Sequence, residues 1–355
     1  LNILVVRLRL IGDVVFTTPA VHALRRRWPD AHITYVVEAP AAPVVAQNPD
    51  ISDVIVVPHD RGWARIQADW RLARRLRAAR FDLAIDMHGG PRSAWLTWAS
   101  RAPRRVGYDI DGRTWMYTDV VHRPRGLHPR HSVQNQWDLL KAVDPNIPVD
   151  PTPETDPTRM VAGPAAEASV AHRLAEWRIP ADGRVIVLHV SAGNPFRRWP
   201  EPAFADVVAA LVRQSPDRWV LITSGPSDLE AAERVAAAAR ADVDPSRVLV
   251  AGDITLAELR ALLDHAALYI GGDSGPLHIA STSRVPVVGL YGPTLPERSA
   301  PWRSASIPTR SLDAGALPCR PCDQRVCAPG DFRCLTGIGA DAVRDAAEAL
   351  LETKR

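Results

Sequence analysis

Two short stretches carry residue types that bind or move charge. The octapeptide Gly271-Gly272-Asp273-Ser274-Gly275-Pro276-Leu277-His278 follows a strand-like apolar run, Ala266 to Ile270. It opens an apolar helical segment, Leu277 to Ser283, that leads into a second strand pattern from Val285 to Tyr291. A strand ending in Gly, Ser and Gly, with Pro in the first helical turn, leaves several backbone N–H groups unpaired and directed at one spot, a ready anion site. The same residues also suit a plain helix cap by Asp273 or Ser274. A second loop of this kind, Arg9-Leu10-Ile11-Gly12-Asp13-Val14, follows the apolar run Ile3 to Val6. From Asp13, the positions Val14, Val15, Ala20, Val21 and Leu24 share one helical face up to Trp28-Pro29. The positive end of a helix favours an ionised carboxylate, so Asp13 suits either a cap or a general base at the carboxyl end of the first strand.

The elements that must hold these loops alternate along the chain. Strand patterns at Ile3 to Val6, Ile33 to Val37, Val54 to Val57 and Leu83 to Asp86 are separated by helical segments such as Trp70 to Ala79, the signature of βαβ units on a parallel sheet. Val143 to Pro164 collects prolines and reads as a linker. Alternation resumes with Val185 to Val190, Trp219 to Thr223, Val248 to Val250, Ala267 to Ile270 and Val285 to Tyr291. The expected fold class is α/β: two Rossmann-like doubly wound domains, 1–160 and 161–340, facing across a cleft. A last helix, within 341–355, is expected to pack back across the hinge.

At 355 residues and 46% hydrophobic content, the chain has core enough for two domains. The net charge of +3 is small and no nucleic-acid partner is expected, but Lys141 and Lys354 are the only lysines, so nearly all cationic charge is guanidinium. Arginine binds phosphate and carboxylate with a rigid fork. The first apolar run is far too short for a signal or membrane segment, and a strand starting at residue 2 is expected to need no leader; the expectation is a cytoplasmic protein, in contact with the inner face of a membrane or free of it. No Gly-x-Gly-x-x-Gly follows the first strand and no P-loop is present, which argues against a nicotinamide-dependent dehydrogenase.

The run Arg7-Leu8-Arg9-Leu10-Ile11-Gly12-Asp13-Val14-Val15 with Thr17-Thr18-Pro19-Ala20, then Asp273 to His278, then Tyr291-Gly292-Pro293-Thr294, resembles glycosyltransferase family 9, the bacterial ADP-heptose:lipopolysaccharide heptosyltransferases. Phe81 to Asp86, Trp199-Pro200-Glu201, Gly225-Pro226 and Thr255 to Leu259 match in the family's order. The resemblance implies a GT-B fold, with the nucleotide-sugar held by the C-terminal half. It also implies inverting transfer of heptose from ADP-heptose to an inner-core sugar hydroxyl, and leans toward the second-heptose type over the first. One base and one set of anion donors are then needed.

On this resemblance Asp13 matches the catalytic aspartate, and Ser274 and Gly275 match residues that hold the diphosphate. Asp273, Pro276 and His278 belong to the same donor site, although His278 also suits a packed helix histidine. The loop after Val190 supplies Ser191 and Ala192 to the donor. Arg197 falls where many members carry a lysine and is taken as the cation on the departing phosphates, with Arg198 as its fallback. Asp228 is the candidate ribose acid, with Glu230 beside it; either could instead cap the Leu229 to Ala239 helix. The acceptor, an anionic inner-core lipopolysaccharide, is expected on the N-terminal half, near Gly12, Arg61, His88 and Arg92, with Arg65, Arg104 and Arg105 as further candidates. Arg71, Arg74, Arg75 and Arg77 read as a solvated face or as a contact with anionic lipid.

All four cysteines lie in the loop 319–334, as Cys319, Cys322, Cys327 and Cys334. That spacing suits a structural zinc or iron, or a set of free buried thiols; the transfer itself is expected to need no metal or other cofactor. Alternatives to the heptosyltransferase reading are a GT-B nucleotide-sugar 2-epimerase, a nucleotide-sugar sensor, or a family 9 transferase using another sugar or a protein acceptor.

Overall fold

The computed structural model describes residues 1–57, 62–123 and 129–352. The chain forms two compact units, Leu1–Val161 and Ala162–Arg355.

The first unit is built on a six-stranded sheet whose pairings are all parallel. Its strands are β1 (Asn2–Val6), β2 (His32–Glu38), β3 (Asp53–Val57), β4 (Leu83–Asp86), β5 (Arg104–Tyr108) and β6 (Asp119–Val121), in spatial order β3-β2-β1-β4-β5-β6. Central strands of a parallel sheet are covered on both faces, which is why β1, β2 and β4 are nearly unbroken apolar runs. The direction of winding reverses between β1 and β4, so the crevice at their carboxyl ends is the switch point where such sheets bind ligands.

The helix expected from Asp13 to Trp28 is two helices, Ile11–Val15 and Thr18–Arg27. Pro19 sits in the first turn of the second, where its missing N–H costs nothing. The hydroxyls of Thr17 and Thr18 donate to the carbonyls of Val14 and Val15, each at 2.7 Å, and so close the break. The proline-rich stretch read as a linker is bound to the first unit: Asp144 accepts from Arg27 at 2.6 Å, Asp156 pairs with Arg26, and the Arg159 N–H donates to Thr18 at 2.9 Å.

The second unit repeats the same winding with β7 (Arg184–His189), β8 (Arg218–Thr223), β9 (Val248–Val250), β10 (Ala266–Gly272), β11 (Val287–Tyr291) and β12 (Thr309–Asp313), in order β12-β11-β10-β7-β8-β9. Here the switch point lies between β7 and β10. The last helix, Ala340–Glu352, belongs to the second unit. Its buried residues Val343, Ala347, Leu350 and Leu351 join the second unit's own core, beside Ile186 and Val208. Arg218 fastens it through Glu348 at 2.5 Å. Among the described residues, no helix is long and apolar enough to cross a membrane.

Candidate active site

In the first unit the polar residues gather at the carboxyl ends of β1 and β4. Arg7, immediately after β1, is buried and forms an ion pair with Asp13, whose side chain is about one-third exposed at 36%. Nη1 of Arg7 donates to the carbonyl of Met87, just past β4, at 2.6 Å. Asp13 sits in the first turn of its helix, but the N-cap position is Leu10 and carries no side-chain bond. The carboxylate therefore serves Arg7 and the open surface rather than a cap.

Asp86, the last residue of β4, is fully buried. It accepts hydrogen bonds from the Tyr117 hydroxyl at 2.6 Å, the Ser93 hydroxyl at 3.0 Å, and the N–H groups of His88 and Gly89 at 2.8 and 2.9 Å. Burial pushes its pKa up further than these four donors pull it down. The carboxyl fixes the turn that presents His88. His88 is half-buried, and burial, with the charges of Arg7 and Arg9, lowers its pKa to about 4. At neutral pH it is therefore an uncharged imidazole. Its Nδ1 is buried and has no hydrogen-bond partner among the described residues.

The remaining acceptor candidates separate. Gly12 is buried in the Asp13 turn. Arg92 lies close by, but its guanidinium is committed to Asp69 at 2.6 Å and Glu38 at 3.0 Å, so it ties helix to strand and does not face an acceptor as an open charge. Arg104 is likewise engaged, with Asp119 and the carbonyls of Ala142 and Val143, and Arg105 with the carbonyls of Met116 and Ala102. Arg65 lies 3.8 Å from Asp69. Arg61 lies outside the described residues.

In the second unit the loops after β7, β8 and β10 converge. Ser274 occupies the N-cap position of the short helix Gly275–Ala280, with Pro276 in the first turn, and its side chain makes no cap bond. The Ser274 hydroxyl is buried with no hydrogen-bond partner among the described residues. Asp273 is buried and accepts from Thr294 at 2.5 Å, with Nη1 of Arg197 at 3.2 Å and Nε2 of the buried His278 at 3.4 Å. Burial pushes Asp273 up, but His278, Arg197 and Thr294 outweigh it and bring its pKa down to about 2. Asp273 is thus the charge that holds Arg197 and His278 in place, and not a helix cap.

Arg197 ends the turn Pro195–Arg197, which Asn194 caps by accepting the Phe196 N–H at 3.0 Å. Its Nε donates to Gln324 at 2.7 Å. Arg198 donates to the Ala192 carbonyl at 3.0 Å and pairs with Asp228 at 2.9 Å. Asp228 stands at the N-cap position of the helix Leu229–Arg240 without capping it by its side chain, while Glu230 points into solvent. The Ser191 hydroxyl accepts the Gly225 N–H at 2.7 Å and joins the β7 and β8 loops. Tyr117, Ser93, Arg7, Thr294 and Gln324 all hold site residues, yet sequence reasoning gave them no role. A charged residue directly after a buried strand was the available signal for Arg7; Gln324, 127 residues from Arg197, offered none.

The cysteines call for a correction. Among the described residues no group of three or more His, Cys, Asp or Glu could hold a metal ion. Burial, with the neighbouring Cys322, Cys319 and Cys327, pushes the Cys334 thiol up. What fixes this loop is Arg320, which pairs with Asp313 at 2.7 Å and donates to the Thr294 carbonyl at 2.7 Å.

Two doubly wound units, one with a carboxylate and the other with an anion-directed loop at its switch point, make up the GT-B fold. The chain belongs to glycosyltransferase family 9, the heptosyltransferase family, whose profile matches residues 69–328. It is 27% identical over 327 residues to lipopolysaccharide heptosyltransferase 3 of Escherichia coli, covering 90% of this chain and 91% of that one. The crystal structure of a family 9 glycosyl transferase from Veillonella parvula superposes with a TM-score of 0.86 at 25% identity, over 99% of this chain and 97% of the other. E. coli heptosyltransferase WaaC with ADP superposes at 0.71 and 21% identity, over 99% and 100% of the two chains. Relatives named heptosyltransferase 2 and 1 match at 23% and 25%, so similarity does not single out the second-heptose type. A UDP-N-acetylglucosamine 2-epimerase shares the fold alone, with a TM-score of 0.50 at 15% identity.

Proposed function

We propose that this protein transfers heptose from ADP-heptose to a sugar hydroxyl of the lipopolysaccharide inner core, with inversion at C1. The observation that carries the donor half of this reading is the buried Ser274 hydroxyl, without a partner among the described residues, at a helix start and beside the anchored Arg197. A diphosphate oxygen would satisfy that hydroxyl and the N–H groups around it.

In this reading Asp13 takes the proton of the acceptor hydroxyl as its oxygen bonds to C1, and the bond from C1 to the β-phosphate oxygen breaks. The charge gathered on departing ADP falls to Arg197, Ser274 and the N–H of Gly275, with Arg198 beside them. Asp273 and His278 position this group. Asp228, held by Arg198, is the ribose acceptor, and Ser191 and Ala192 line the nucleotide side. Neutral His88 and the Gly12 turn meet the acceptor sugar by hydrogen bonds. No step is assigned to a metal or other cofactor. The protein works in the cytoplasm, at the inner face of the inner membrane.

The test is ADP release from ADP-heptose with and without deacylated lipopolysaccharide acceptors truncated at different inner-core positions. Release that requires one of these acceptors supports the reading and identifies the step. A folded protein that binds ADP but releases none with any acceptor refutes the heptose assignment.

A further inference from the structure

The first unit exposes an unusual run of indoles. On helix Gly62–Ala78, Trp63, Ile66 and Trp70 are 80%, 46% and 58% exposed and recur at i, i+3 and i+7, so they share one face. Arg74 and Arg77, both exposed, continue the same stripe at i+11 and i+14. The flank of this stripe is anchored: Ala73 and Leu76 are buried, and Leu76 belongs to the core under the sheet.

The stripe does not end with its helix. Trp70 packs edge-on against Trp95, with ring centroids 5.6 Å apart, on the neighbouring helix Pro91–Ala99. One turn along that helix, Trp98 packs against Trp115, itself 62% exposed, at 5.7 Å. The guanidinium of Arg101 lies 4.4 Å over the Trp98 ring. Cationic side chains therefore border the aromatic surface at both ends, and the first helix alone carries five arginines against one aspartate.

Large exposed aromatic surface marks an interaction site. The interleaved charge selects the occupant. A protein interface depletes charge from its core, and a two-fold contact between copies would bring two arginine-rich helices of the same sign together. An anionic bilayer suits both halves: indoles settle at headgroup level, with ring and N–H each satisfied, and guanidiniums pair with lipid phosphates. We propose that this face docks the first unit on an anionic phospholipid surface, with Trp63 and Trp70 entering the headgroup layer and Arg74 and Arg77 on the phosphates. This rests on the proposed function, because lipopolysaccharide is carried on lipid and is reached from such a surface.

The test is co-sedimentation of the full chain at low salt with vesicles of phosphatidylcholine, alone or mixed with phosphatidylglycerol. The wild type is expected on the mixed vesicles at least about tenfold more than on the neutral ones, with loss at high salt. Trp63→Ala with Trp70→Ala lowers this partition about tenfold, and Arg74→Gln and Arg77→Gln lower it about fivefold each. Circular dichroism, ADP affinity and turnover of a deacylated, water-soluble acceptor stay unchanged in these variants. Equal partition on both vesicle types, no partition at all, or wild-type partition by the variants overturns the proposal. So does a concentration-dependent dimer that the indole substitutions abolish. Should transfer fail with every acceptor while the vesicle result stands, the heptose assignment falls and the docking face remains.

Discussion

Arg7 and Asp13 form an ion pair at the carboxyl end of β1, and the same guanidinium bonds the Met87 carbonyl at the end of β4. One buried side chain therefore joins the two strands that flank the switch point and aims the carboxylate assigned as base. Arg7→Met removes the aim and keeps most of the buried volume. It is expected to lower kcat about a hundredfold, the cost of a misplaced catalytic group, and to leave ADP affinity at the wild-type value. Steady-state ADP release beside calorimetric ADP titration checks both halves.

The donor side rests on Arg197, held between Asp273 and Gln324. Charge-assisted hydrogen bonds to phosphate are the strong ones, so Arg197→Ala should weaken ADP binding by ten- to a hundredfold, or about 1.5–3 kcal/mol. Gln324→Ala leaves the guanidinium present but less fixed, and a loss of about threefold is expected. Calorimetry on the two variants measures the ordering; equal losses would remove Gln324 from a positioning role.

His189, at the end of β7, is buried and bonded to Thr223 at 2.9 Å, and burial lowers its pKa to about 4. In the unfolded chain it titrates near 6.5. Between pH 6.5 and 4 the unfolded state takes up a proton that the native state refuses, so stability falls as pH falls through this window. Its contribution is full above pH 6.5, and the loss reaches about 3 kcal/mol at the acid end. Urea unfolding across pH 4–7 should show this slope, and His189→Gln should flatten it. His88 acts in the same direction and leaves part of the slope in the variant.

Gly107 in β5 is required by its neighbour. A Cβ there would lie 2.3 Å from the ring of Tyr117, whose hydroxyl bonds Asp86. Gly107→Ala should push Tyr117 off that carboxyl, at a cost of about 2–3 kcal/mol in overpacking and a lost buried hydrogen bond. Thermal unfolding measures it; a melting curve like the wild type's would show that the ring moves freely.

Most of the strands legible in the sequence are flanked by strands on both sides, because sheets covered by helices on both faces demand apolar runs; the edge strands Asp53–Val57 and Val248–Val250 were legible as well, as short valine-rich runs. Arg104–Tyr108, Asp119–Val121 and Thr309–Asp313 escaped that reading. The first opens with two arginines and the other two lie at sheet edges, where polar residues are tolerated. Both chemical loops were legible because Gly, Asp, Ser and Pro break the strand pattern where the chain turns into a helix. The partners that orient them were not. Tyr117 reaches Asp86 across 31 residues and Gln324 reaches Arg197 across 127, and such contacts exist only once the sheets have formed. The arginines named as acceptor candidates are largely committed to carboxylates and carbonyls, since a guanidinium near a strand end finds internal acceptors first.

The central claim is that Asp13 is the base of an acceptor-dependent heptosyl transfer. The measurement is ADP release from ADP-heptose by Asp13→Asn beside wild type, with the deacylated inner-core acceptor that the wild type uses. The expected result is a fall in kcat of about a hundred- to ten-thousandfold, with ADP affinity unchanged. Release by the variant at the wild-type rate, or wild-type release that proceeds equally without acceptor, would contradict it.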